Sequence, residues 1–174
     1  MTKAEIKTQL ETKYKSFSDF IVSLNDQEFI NAPNGKWTAG QQLDHLIRAV
    51  SPLATGLRLP KFLLKVIFGK SNRPSKSYED LVKKYILKLE AGGRASGRFV
   101  PIEILPKGRE KNIDKLSKKV NQLEDNLNSY SEEQLDIFIL PHPLLGKVTL
   151  REMMYFTIYH AEHHLKQTIK NTGK

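Results

Sequence analysis

Cysteine is absent from the 174 residues, and the single tryptophan is Trp37. Without cysteine there is no disulfide scaffold, no thiolate zinc site and no cysteine nucleophile, and the absence suits a reducing compartment. No apolar run approaches the roughly 18 residues that a membrane-spanning helix needs. The opening stretch MTKAEIKTQLETKYKSF carries charges throughout and no apolar h-region, so no secretory leader is expected and the expected location is the cytoplasm. Convincing strand-like alternation is missing too, as are internal repeats and low-complexity segments. The Gly-rich GGRASG lacks the Gly-Lys-Ser/Thr ending of a phosphate loop.

Acidic residues are scarce in the middle of the chain. Overall there are 28 Lys and Arg against 19 Asp and Glu, a formal charge of +9. Residues 54–119 hold 17 of the basic and 6 of the acidic side chains, so that segment is +11 and the remainder −2. Such a field attracts anions, whether small molecules, nucleic acid or a membrane surface, or simply keeps the chain soluble. No recognised nucleic-acid motif accompanies it, so no specific nucleic-acid partner is expected. The length suits one domain over 1–174 with a core of its own.

What is present is helical periodicity. Ile6, Leu10, Tyr14, Phe17, Ile21 and Leu24 are spaced three or four apart, which predicts an amphipathic helix over 3–24. The stretch NDQEFINAPNGKW breaks it. Thr38 with Gln41 forms a capping box that opens a second helix with the stripe Leu43, Leu46, Ile47, Val50 and Leu53, ending near Pro60. KFLLKVIFGK suggests a brief basic cover helix with its lysines reaching solvent, and Ser77 with Asp80 opens another short one. A third long helix is predicted over 109–128, then a turn of helix at SEEQLDIF. ILPHPLLGKV is expected to be an extended loop, and Thr149 with Glu152 caps a last helix running to about Asn171. The expectation is an all-α four-helix bundle, with a long basic crossover at about 54–109 carrying short helices between the second and third long helices.

Three of the five histidines lie in YHAEHHLKQ. A helix turns about 100° per residue, so i and i+4 stack on one face. His160 and His164 are therefore able to converge on one ion, while His163 points away from the shared position. Catalytic zinc usually takes three protein ligands. HExxH is ruled out because Glu162 lies between the wrong residues, and no Glu-x-x-His pair occurs. His45, at the core edge of the second helix, is the better third ligand; His142 sits between two prolines, where turn geometry accounts for it. The alternative is three solvated histidines near a helix end, where cations favour the dipole.

Two stretches together resemble the DinB-like (DNA-damage-inducible DinB / YfiT-type) superfamily. WTAGQQLDHL carries a Trp, a helix start and a His eight residues after the Trp. HPLLGKVTLREMMYFTIYHAEHHLKQ carries an HP-x-x-G turn leading into H-x-x-H-H-x-x-Q. The resemblance implies a four-helix bundle holding a divalent metal, nickel or zinc, on His45, His160 and His164. It also implies a thiol-dependent S-transferase using bacillithiol or a similar low-molecular-weight thiol on a small-molecule substrate. Homodimers are common among members, although no residue here specifies one. Gln42 and Gln167 are candidates for orienting ligands or substrate, or are exposed helix glutamines. Glu162 and Asp44 are candidate hydrogen-bond partners of the ligands or surface charges, and His163 is a proton shuttle or a solvent-facing residue. A metal-dependent hydrolase needs the same three ligands. A rival from a different class is a non-enzymatic basic module, because LRLPKFLLKVIFGK interleaves Lys and Arg with apolar residues as membrane-surface helices do.

Overall fold

Polar side chains placed three residues ahead of a Glu or Gln decide where most of the helices begin. The computed structural model describes residues 1–174, apart from the side chain of Asn34. In chain order its elements are α1 (Lys3–Ser23), α2 (Asp26–Ile30), α3 (Ala39–Gly56), α4 (Lys61–Phe68), α5 (Tyr78–Glu90), α6 (Arg109–Leu127), α7 (Glu132–Ile137), β1 (Ile139–His142), β2 (Gly146–Thr149) and α8 (Leu150–Thr172). Reciprocal capping boxes start α1 at Thr2/Glu5, α3 at Thr38/Gln41 and α8 at Thr149/Glu152. Each satisfies two backbone amides that the first helical turn leaves unpaired. Helix α6 has no side-chain cap and continues directly from a 3-10 turn at Pro106–Gly108.

The four long helices form the expected bundle. Helices α1 and α3 each pack against both α6 and α8. Their apolar stripes meet in one core that includes Ile6, Leu10, Phe17, Leu43, Leu116 and Met154, all fully buried. Among the described residues, no helix is long and apolar enough to cross a membrane. Residues 57–108 connect α3 to α6 and carry α4, α5 and two 3-10 turns. The start of α8 is tied to this crossover. Arg73 donates to both carboxylate oxygens of the buried Glu152, at 2.6 and 2.8 Å, and Lys76 N–H donates to the same carboxylate at 2.8 Å.

Four features differ from the sequence expectations. The break after α1 contains the short helix α2, started by an Asn25/Glu28 capping box that puts Phe29 in the core. Phe29 lies under Gly40, where an added Cβ would come within 2.8 Å of the Ile104 carbonyl and 3.1 Å of the Phe29 ring. The segment expected as an extended loop is instead a small antiparallel hairpin, β1 paired with β2 from Ile139↔Thr149 to His142↔Gly146. Its two prolines and four-residue strands hide the alternation that marks longer strands, and Gly146 closes the turn at φ 77°. Helix α4 shows Lys65 to solvent as expected, while Lys61 turns inward, and it also exposes Phe62, Val66 and Ile67. The second long helix also stops at Gly56, short of Pro60.

Candidate metal centre

His45 from α3 and His160 and His164 from α8 meet in the interior, each no more than 6 % exposed. Stacking at i, i+4 brings His160 Nε2 to 2.9 Å from His164 Nε2, and the facing helix brings His45 Nε2 to 3.1 Å from His160 Nε2. One ring nitrogen from each of the three lies within 4.8 Å of the others. Outer partners set two of the tautomers. His45 Nδ1–H donates to the Phe99 carbonyl at 2.7 Å, and His164 Nδ1–H donates to Gln42 Oε1. Both therefore aim an Nε2 lone pair at the middle. His160 Nδ1 has no hydrogen-bond partner among the described residues.

That donor set fits a cation. A proton on His160 Nε2 could satisfy only one of the two facing lone pairs at a time, and a buried acceptor left unpaired is costly. A divalent ion satisfies all three, and neutral imidazole suits zinc and nickel. Burial holds the pKa of His160 and His164 well below the usual imidazole value, and their histidine neighbours push it the same way. Burial also lowers His45, partly offset by its bond to Phe99 and by Asp44. All three rings are therefore neutral near pH 7, the form that offers a lone pair.

The wall around the cluster is aromatic. Phe156, one turn before His160, stacks on its ring with centroids 4.7 Å apart, and the Trp37 ring lies 4.9 Å from His45. A cavity of about 790 Å³ opens from the cluster, lined mainly by apolar side chains such as Leu53, Leu64 and Phe68, with Arg94, Arg98 and Gln167 among the polar ones.

The other candidates separate cleanly. Gln42 touches the cluster through His164. Asp44 does so at one remove: it accepts from Arg48 and from Ile102 N–H, while Arg48 donates to the Arg98 carbonyl, and together these pin the segment whose Phe99 carbonyl holds His45. Gln167 lines the cavity and makes no hydrogen bond to a histidine among the described residues. Glu162 is not a partner of the cluster: it faces outward and pairs with Lys13 at 2.9 Å and Lys166 at 2.6 Å. His163 is half-buried on the cavity wall, with its ring centroid 5.2 Å from that of His164. His142 lies outside the cluster. Its Nδ1 accepts from the N–H groups of Leu144 and Leu145, both at 3.1 Å, and so holds the hairpin turn. Phe156 was legible from its i−4 spacing to His160, whereas nothing local to Phe99 marks its carbonyl as a partner of His45.

A helical bundle with three buried histidines at the floor of an apolar cavity is the class of protein that these features define. The chain belongs to the DinB superfamily, whose model matches residues 9–168. It is similar to the crystal structure of a conserved protein from Enterococcus faecalis, with a TM-score of 0.65 over 100 % of this chain and 99 % of that one. At 14 % identity that likeness shows a shared fold. No curated protein matches the chain.

Proposed function

We propose that the protein is a divalent-metal-dependent enzyme, an S-transferase for a low-molecular-weight thiol such as bacillithiol. In this reading His45, His160 and His164 hold the ion, nickel or zinc. The convergence of three Nε2 atoms at one end of a cavity, two of them held as lone-pair donors by outer hydrogen bonds, carries the proposal. When bound there, a divalent ion lowers the pKa of a coordinated thiol or water towards neutrality. Gln42 and the Phe99 carbonyl keep the rings of His164 and His45 aimed, and Phe156 and Trp37 exclude water from that side. In the overall reaction the thiol sulfur bonds to an electrophilic carbon, the thiol proton is released and any leaving group departs. His163, with its pKa lowered by burial and therefore neutral, is a base on the cavity wall able to take that proton. Arg94 and Arg98 suit an anionic thiol or a small anionic substrate.

Elemental analysis of protein purified without an affinity tag tests the first half, with His160→Ala as the comparison. Stoichiometric metal in the wild type and its loss in the variant are expected. Sub-stoichiometric metal that titration cannot restore, the same in both proteins, would sink the enzyme reading. The second half is read by loss of free thiol when the loaded protein meets aryl halide or epoxide electrophiles. Ester hydrolysis without thiol consumption would move the assignment to a hydrolase on the same site.

A further inference from the structure

Helix α4 exposes more apolar surface than a simple cover helix does. Its inward residues are Lys61, Leu64 and Phe68: Leu64 is buried, and the Lys61 ammonium donates to the Ser129 carbonyl and to Gln134 Oε1. On the opposite face Phe62 is 65 %, Val66 78 % and Ile67 59 % exposed, and Leu59 just ahead of the helix is 42 % exposed. The helix also walls the cavity above the histidines, through Leu64 and Phe68 with Leu59 at the rim.

Along the chain, the segment that carries this ridge has charge of one sign only. No Asp or Glu occurs from residue 45 to residue 78. Arg58, Lys65 and Lys70 are exposed, and among the described residues none of them makes an ion pair. We propose that α4 docks reversibly on an anionic lipid surface, with Leu59, Phe62, Val66 and Ile67 entering the acyl boundary and Arg58, Lys65 and Lys70 meeting the headgroups.

Two physical considerations select this occupant. A second copy seated on the ridge by two-fold symmetry would set Arg58, Lys65 and Lys70 against their own equivalents, a like-charge arrangement. A stable protein partner needs roughly 800 Å² per side, more than three side chains on a short helix and one just ahead of it offer. A lipid surface requires neither: a small apolar ridge adds to cation–headgroup attraction, and each component stays reversible. None of the residues involved belongs to the histidine cluster, so this assignment stands or falls separately from the metal chemistry.

Co-sedimentation of the full, untagged chain with lipid vesicles tests it. Binding is expected to vesicles containing phosphatidylserine, to weaken steeply with added salt, and to be absent on pure phosphatidylcholine. Phe62→Ser with Val66→Ser should weaken binding by at least about tenfold, from the apolar area removed. Lys65→Gln and Lys70→Gln should each weaken it by roughly fivefold. No binding by the wild type, equal binding to both vesicle types, or binding unchanged in the serine variant would overturn the proposal. So would a dimer, seen by light scattering and dissolved by the serine variant, in a protein that ignores vesicles. Melting curves check the fold of each variant. If the serine variant unfolds, the glutamine pair decides, because those ammonium groups make no hydrogen bond or ion pair among the described residues.

Discussion

Replacing Gln42 by Leu removes one acceptor, the Oε1 that receives His164 Nδ1–H, and leaves the three histidines in place. The backbone bond from Gln42 N–H to the Thr38 carbonyl at 2.9 Å is unaffected, and leucine has nearly the same volume. Two costs follow. The buried N–H of His164 loses its partner, which destabilises the apo protein by about 1–3 kcal/mol. If the ring instead moves its proton to Nε2, that nitrogen no longer offers a lone pair. Losing the outer partner of a ligating histidine typically weakens metal binding 10- to 100-fold, about 1.4–2.7 kcal/mol. Competition titration of zinc or nickel against a chromophoric chelator at neutral pH reads this directly. Gln42→Glu keeps an acceptor at the same place and is expected to hold affinity. Gln167→Leu, altered in the same cavity but away from the rings, should leave affinity unchanged. An affinity for Gln42→Leu within about threefold of wild type would refute the orienting role.

Other consequences follow from the same structure. Burial, with Lys84 nearby, lowers the pKa of His142 to about 4. The folded protein therefore resists a proton that the unfolded chain accepts near pH 6.5, so this contribution is whole above that value and is lost as pH falls towards 4. For His142→Phe, which keeps the packing on Phe156, denaturant titrations should show a shallower acid slope. The wild type should lose about 3 kcal/mol more than the variant between pH 7 and 4, at roughly 1.4 kcal/mol per pH unit. An unchanged slope would show that His142 is freely protonated in the fold. Gly40→Ala forces a methyl against the Ile104 carbonyl and the Phe29 ring and should cost about 1–3 kcal/mol by thermal melt. A melting temperature equal to wild type would mean that this contact is loose. Arg73→Met leaves the Glu152 carboxylate with backbone donors from Lys76 and Thr149. Because the Arg73 side chain is 36 % exposed, the expected loss is about 1–2 kcal/mol, below that of a fully buried pair. A null result in denaturant would show that the two amides suffice.

Much of the bundle was legible because its signals are local. The stripe from Ile6 to Ile21 and the capping boxes at Thr38 and Thr149 depend on spacings of three and four residues, which the helix itself imposes. The same box at Asn25 and Glu28 is equally local, but Pro33 and Gly35 close behind it are turn residues that mark a break in the chain. The hairpin was harder, since two four-residue strands, one holding Pro141, show no period to detect.

The candidate site divides along the same line. Convergence of His160 and His164 is a property of one helix, so sequence by itself determined that pair and set His163 apart from it. Sequence could name His45 as the third member but could not bring it 3.1 Å from His160, because that distance depends on how α3 packs against α8. It could not show that His45 is held by the Phe99 carbonyl 54 residues away, that Glu162 turns outward, or that the apolar face of α4 points to solvent. The first and last of those outcomes depend on the irregular crossover, whose position comes from long-range contacts such as Asp44 with Ile102 and Arg73 with Glu152. Glu162 is instead met by Lys13 of α1. A short spacing in the chain fixes what shares a helix face; only packing decides what that face meets.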